Sequence, residues 1–507
     1  MSKQWRSFFG LTIAIAVWNT LSFIIPDFID NPVGDYRGII ALLVYVAALG
    51  IGQWLLALML VSDKWCASFV LPLYSLFGSV ISYYRVMYHA AVNPVLVDAT
   101  LHTNMGTVTG VVSWSLVVWV LFQLCISLLF VLWRWKIGIL PKRIAVGLVA
   151  LCLFLVWFFG NDRLHKGAIQ RYPMNVIHSV VEYSKMQRSL HLPRQMPIFR
   201  VMETMDSLDV IMLIGESARA DHLSLNGYEH RTCSLLSQRS NVVSLPHIYS
   251  MYDHTAASVP HIVTPADSLY PEKAYSFHSF IRCFQSVGYY TSWISNQDYG
   301  QTYSSFIHES DTIIFPNASK SSSVFAPWYD ADLLPVVESL TRHEQSAHNL
   351  YVLHLVGSHW YYNNHVPPYA ERFKPVTTHR VFTQNDSLSI IHSYDNTIVA
   401  LDYFVDSLMQ FFDGRNAILF YLSDHGESLG ENGHWLHAMG EDAVENKNPA
   451  AFIWYSDKYA MNFPEKVSAL RANSDTNYNT DFLFYSILYA AGLEAEGDNK
   501  LVNIFRQ

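Results

Sequence analysis

Five long stretches without a charged residue crowd into the first third of this chain, and they constrain it more than any other feature. The first lies between Arg6 and Asp27, the second between Arg37 and Asp63, and the third between Lys64 and Arg85. The fourth runs from Thr107 to Trp133 and the fifth from Ile144 to Asn161. Each has roughly the 17 to 25 residues that a helix needs to cross the hydrocarbon of a bilayer. A charge inside such a run costs a few kcal/mol, so the charged punctuation between them reads as loops. Buried helices of a large soluble core would not recur five times in this way. No small-residue cleavage site follows the first run, and Pro26-Asp27-Phe28 is a poor substitute, so a signal peptide is disfavoured.

Basic residues orient the spans. Lys3, Arg6, Lys64, Arg134, Lys136, Lys142 and Arg143 share one side if the amino terminus is cytoplasmic, leaving Arg37 and Arg85 on the other. Five spans are an odd number, so everything after Asn161 is expected outside the cytoplasm. The 51% apolar and 15% charged composition agrees with a part in lipid. A formal charge of −9 argues against nucleic acid as a partner.

Residues 162–207 read as a connector. Val176, Ile177, Val180 and Val181 alternate with His178, Glu182 and Lys185 in the manner of an amphipathic helix, either at the membrane surface or packed on a soluble domain. Residues 208–507 change character. Val210 to Ile214, Tyr289 to Ile294, Leu350 to Val356, Ala417 to Leu422 and Ala451 to Trp454 are short apolar runs expected as buried parallel strands. Asn396 to Phe412 carries helical spacing. The expected fold is α/β, with helices on both faces of the sheet.

Ligands of such sheets sit beyond the carboxyl ends of the strands. Glu216 follows the first strand, Gly357-Ser358-His359 the third, and Ser423-Asp424-His425-Gly426-Glu427 the fourth. Two carboxylates and an imidazole, with a position left open, suit a catalytic zinc or manganese. Singly each could be a cap or a surface ion pair; together at strand ends they favour a metal site. The segment from Ser250 to Pro260 supplies hydroxyls, and a metal can activate one as a nucleophile. Spacing alone does not choose among Thr255, Ser250, Ser258 and Ser217.

The runs Gly215-Glu216-Ser217-Ala218-Arg219-Ala220-Asp221-His222, Ser224-Leu225-Asn226-Gly227-Tyr228 and Ser423-Asp424-His425-Gly426-Glu427-Ser428-Leu429-Gly430-Glu431-Asn432-Gly433 resemble the phosphoethanolamine transferases of Gram-negative bacteria. These belong to the alkaline-phosphatase and sulfatase superfamily. The resemblance covers the whole chain. It implies a five-helix transmembrane domain over 1–161, a connector, and a sulfatase-like α/β/α soluble domain over 208–507.

The resemblance also implies zinc ligands at Glu216, Thr255, Asp424 and His425, with Thr255 the nucleophile. It implies His359 and His437 near the phosphoryl group, and Asn296 and Thr103 as substrate contacts. His354 and His434 are expected to pack or support. The implied reaction takes phosphoethanolamine from phosphatidylethanolamine to lipid A or the lipopolysaccharide core through a phospho-threonine intermediate. The enzyme would be a monomer in the inner membrane, its catalytic domain periplasmic. A phosphoglycerol transferase resembling lipoteichoic-acid synthases is the alternative, and the Ser-Leu-Asn-Gly-Tyr and Gly-Glu-Asn-Gly runs disfavour it. This chain departs from the family in several places. Met251 and His261 stand where cysteines usually flank the nucleophile loop, Ala99 and Thr107 replace the usual Asn and Glu around Thr103, and no lysine follows Asn296. Cys233 and Cys283 lie outside the spans, where an oxidising compartment permits a bridge, although nothing in the sequence brings them together.

Overall fold

A computed structural model of the chain describes residues 2–28, 36–88, 92, 97, 100–101, 112–189, 193–266, 271–297, 302–317, 327–343, 346–378, 385–437 and 443–506. Thr103 lies outside the described residues. The chain divides into two compact units, with the boundary between Ser184 and Lys185.

The first unit is helical: α1 (Lys3–Asn19), α2 (Tyr36–Leu60), α3 (Lys64–Tyr88), α4 (Trp114–Ile137), α5 (Arg143–Phe159), α6 (Asp162–Ile169) and α7 (Met174–Ser189). Among the described residues, four helical segments are long and apolar enough to span a bilayer alone. The fifth expected span is a pair, α5 and α6, bent by 103° at the intervening break. Asn161 makes that break by accepting hydrogen bonds from the backbone of Arg163 and Leu164, capping α6 as a new helix.

Small residues and internal polar bonds hold these helices together, because lipid supplies little hydrophobic drive between them. Trp54 Nε1 donates to Thr12 Oγ1 at 3.2 Å, and Trp18 Nε1 to Gln123 Oε1 at 2.8 Å. A Cβ on Gly52 would meet the Trp157 ring at 2.4 Å, so that close approach requires glycine. Arg134 is fully buried and donates to the carbonyls of Val61, Ser62 and Gly138. It thereby satisfies carbonyls where α2 ends, with a cation at the negative end of the helix. Tyr172 inserts between Phe23 and Tyr74, at ring distances of 5.7 and 4.7 Å. The expected connector helices therefore begin inside this unit, and on α7 Met174 and Val176 pack inward while Ile177, Val180 and Val181 stay exposed.

The second unit is built on seven strands: β1 (Leu208–Gly215), β2 (Val242–Ser244), β3 (Tyr290–Ser295), β4 (Thr312–Ile314), β5 (His348–His354), β6 (Ala417–Ser423) and β7 (Ala451–Tyr455). Their order across the sheet is β2-β7-β6-β1-β5-β3-β4. Strands β6, β1, β5, β3 and β4 pair in parallel. The fifth expected parallel strand is corrected: β7 runs antiparallel to both β6 and β2. A strand covered on both faces reads as a continuous apolar run in either direction, so its sequence could not reveal this.

All eight residues of β1 are buried. Val210, Met212 and Ile214 join a core layer with Val259, Ile262, Phe280 and Phe482. On the opposite face Tyr351 of β5 packs on Phe412, just beyond α9 (Ser387–Gln410). The second element that matters for the site is α8 (Thr255–Val263). Cys233 and Cys283 are both buried free thiols.

Candidate functional site

Four neighbouring strands deliver the site. Gly215 pairs with Ser423 in the β1–β6 ladder, so Glu216 and Asp424 leave the sheet side by side. Ser217 continues from Glu216 with φ +57°, and its N–H donates to Asp424 Oδ1 at 3.2 Å. Beyond β5, Gly357 passes so close that a Cβ there would meet the Glu216 carbonyl oxygen at 2.8 Å. Its φ of +46° also favours glycine. α8 starts with Thr255, whose Oγ1 donates to Glu216 Oε2 at 2.9 Å.

Glu216, Asp424 and His425 are almost completely buried. Asp424 Oδ1 accepts the His425 N–H at 2.8 Å. His425 Nδ1 donates to the carbonyl of Gly426 at 2.7 Å, which turns Nε2 inward. That Nε2 lies 3.4 Å from Glu216 Oε1 and 3.5 Å from Asp424 Oδ2. Both His425 Nε2 and Asp424 Oδ2 are buried with no hydrogen-bond partner. Orphaned polar atoms are costly in a protein interior, and here two of them converge. Ligand atoms of Glu216, His425 and His437 all lie within 4.8 Å of one another. This donor set, carboxylate oxygens and imidazole nitrogens, fits a divalent cation such as zinc.

The charges agree with that reading. Burial opposes ionisation of Glu216, yet the imidazoles of His425, His359 and His437 hold it well below the usual carboxylate range. Burial, then the charge of Glu216, push Asp424 up to about 6. Burial alone would lower His425, but Asp424 and Glu216 raise it to about 10. Without a cation, protons must neutralise this cluster.

The histidines take distinct places. His437 Nδ1 donates to Glu427 Oε2 at 2.7 Å, and its ring sits 4.2 Å from that of His425. His359 Nδ1 donates to the Trp360 carbonyl at 2.6 Å, and its ring lies 6.3 Å from that of His437. His354 packs against Trp293 and Tyr303, and burial drives it down to about 4.

Asn296 does not reach Glu216. It donates to Asp330 Oδ1 at 2.9 Å and accepts from Asn317, while Asp330 accepts the N–H groups of Val356 and Gly357. Its neighbour Gln297 reaches instead, with Nε2 donating to Glu216 Oε2 at 2.7 Å. The sequence did not single out Gln297 or Glu427; Ser217, weighed there only as a candidate nucleophile, donates its Oγ to Glu216 Oε1 at 2.7 Å. Glu427 lies inside the Ser-Asp-His-Gly-Glu run and could have been singled out there. Nothing in the sequence signals Gln297 over Asn296.

An α/β sheet with this cluster beyond its strand ends belongs to a recognisable class. The chain is a member of the sulfatase family, whose profile matches residues 209–493. A second profile, described as phosphoethanolamine transferase EptA/EptB, matches residues 53–187. Phosphoethanolamine transferase EptA of Helicobacter pylori is 27% identical over 473 residues, covering 89% of this chain and 86% of that protein. The integral membrane lipooligosaccharide phosphoethanolamine transferase A (EptA) of Neisseria meningitidis superposes with a TM-score of 0.76 at 18% identity, covering 98% of each chain. The C-terminal periplasmic domain of EcEptC from Escherichia coli, in complex with Zn, gives 0.55 at 22% identity over 62% of this chain and 90% of that domain. These relatives agree with the family read from the motifs.

Proposed function

We propose that this chain is a zinc-dependent transferase that moves phosphoethanolamine from phosphatidylethanolamine to lipid A or the lipopolysaccharide core. The observation that carries the reading is the Thr255 hydroxyl hydrogen-bonded at 2.9 Å to Glu216, beside the two orphaned ligand atoms of Asp424 and His425. Relatives along most of the chain, named as phosphoethanolamine transferases, favour this substrate class over phosphoglycerol.

Glu216, Thr255, Asp424 and His425 would hold the zinc ion, and when bound it supplies positive charge that makes the threonine oxygen nucleophilic and offsets charge on the phosphoryl oxygens. Thr255 Oγ1, oriented by its bond to Glu216 Oε2, gives up its proton to solvent and attacks the donor phosphorus. The phosphorus–glycerol oxygen bond breaks, and diacylglycerol departs with a proton. His437, its Nδ1 held by Glu427, presents Nε2 for that proton transfer. His359 lies near enough to share the role or to bind phosphoryl oxygens. An oxygen of the acceptor then attacks phosphoethanolamine-Thr255, any proton it carries passing to His437 Nε2 to replace the one given to diacylglycerol; the phosphorus–Oγ1 bond breaks and Thr255 recovers its proton. Donor, diacylglycerol and a lipid acceptor all reside in the bilayer, which gives the spans a purpose. The basic residues on the amino-terminal side support an inner-membrane enzyme with a periplasmic site. All the candidate ligands come from one chain, so a monomer suffices. Asn296 and Thr103 remain proposed as substrate contacts.

The test is peptide mass spectrometry of the full-length enzyme quenched with phosphatidylethanolamine vesicles. The expected adduct of phosphoethanolamine falls on Thr255; an adduct on Ser217, Ser250 or Ser258 would overturn the assignment.

A further inference from the structure

α8 begins with Thr255 and carries Pro260 in its interior. Proline has no N–H, so the carbonyl of Ala256, four residues earlier, loses its helical donor. The first turn of α8 holds Thr255 and the backbone N–H groups at the helix start, and its link to the remainder lacks that one ladder bond. Something else must fix its position. His261 is 3% exposed and folds back over this turn. Its Nδ1 lies 2.9 Å from the Ala257 carbonyl, which can only accept, so Nδ1 carries the proton. Nε2 is then an acceptor, and Tyr252 O–H donates to it at 3.1 Å. The two rings also pack at 4.5 Å with an interplanar angle of 36°. The donors and acceptors thus run in one direction, from Tyr252 before the nucleophile, through His261 after it, to Ala257 within its turn.

We infer that Tyr252 and His261 form a non-covalent brace that positions Thr255, bridging the approach to α8 and its first turn where Pro260 breaks the ladder. Neither side chain is a catalytic residue; both act through the placement of Thr255. Ser250 supports the same loop, with its N–H on the Lys447 carbonyl at 2.8 Å and its Oγ on the Tyr252 carbonyl at 2.7 Å.

The inference rests on the proposed role of Thr255, and two readouts on the full-length enzyme keep them separable. The first is amide hydrogen exchange of the segment 253–262 in wild type, Tyr252→Phe, His261→Leu and His261→Gln. The brace predicts about tenfold faster exchange there in Tyr252→Phe and His261→Leu, with the strands of the sheet unchanged. His261→Gln keeps a donor and an acceptor and should restore much of the protection. The second readout is diacylglycerol release from phosphatidylethanolamine. Turnover should fall roughly tenfold to a hundredfold with KM little changed, because misplacing a reacting group lowers kcat. Unchanged exchange in Tyr252→Phe would overturn the brace whatever the turnover. Faster exchange with undiminished turnover would equally overturn its positioning role. If wild type releases no diacylglycerol, the transferase reading falls, and exchange alone still decides whether the brace exists.

Discussion

At the scale of single residues, the motifs named the side chains and the structure supplied their neighbours. Glu216, Asp424 and His425 were legible because strand-end polar residues in an α/β sheet converge, whereas Thr255, at the start of α8, was singled out only by the family resemblance. Gln297 was not legible, because whether Asn296 or Gln297 faces inward depends on how the chain turns after β3. Asn296 turned instead toward Asp330 and Asn317. Protonation of the cluster yields a prediction. A cation must displace one proton from His425, raised to about 10, and below about 6 a second from Asp424. Zinc affinity should therefore rise with pH, about tenfold per unit between pH 7 and 9, and more steeply below pH 6. Competition titration against a chelating dye would measure it, and a flat profile would contradict the protonated state inferred for His425. Thr255→Ser, which keeps a hydroxyl, should retain part of the turnover, whereas Thr255→Ala should retain none.

At the scale of elements, the turns beyond β1 and β6 hold their shape through Arg219. It is buried, forks onto both oxygens of Asp221, and reaches the carbonyl of Glu427 and the carboxylate of Glu431. Tyr394 of α9 closes the same turn, donating to the Ser217 carbonyl and accepting the Arg219 N–H. Arg219→Ala should cost about 1–3 kcal/mol of stability, as the Glu427 carbonyl loses its donor and two partly exposed carboxylates lose their partner. Arg219→Lys should not restore it, since an ammonium cannot reproduce the fork. Chemical denaturation of the detergent-solubilised enzyme measures both, and a fully stable lysine variant would sink the argument. Element types were largely legible from apolar periodicity. The antiparallel direction of β7 was not, because burial on both faces erases the alternation that distinguishes a half-exposed strand. The fifth span was legible as an uncharged run, but its bend at Asn161 depends on a cap too local for hydropathy to show.

At the scale of the whole molecule, the division into a helical unit and an α/β unit follows from where the charges are. Uncharged runs can only be buried or placed in lipid, and the −9 chain keeps its acids mainly in the second unit. If the spans serve to bring lipid substrates to the site, residues 208–507 expressed alone should bind zinc but transfer poorly from bilayer phosphatidylethanolamine. A short-chain donor in solution should narrow that difference. Equal transfer from vesicles with and without the spans would remove their proposed purpose.

The central claim joins site and membrane: Thr255 carries phosphoethanolamine to a lipopolysaccharide acceptor. Mass spectrometry of lipid A and core from Gram-negative cells expressing wild type or Thr255→Ala tests it most directly. Wild type should add the mass of phosphoethanolamine, and Thr255→Ala, produced at the same level, should leave lipid A and core unmodified. The same adduct in the Thr255→Ala cells, or an adduct of glycerol phosphate in wild type, would contradict the account.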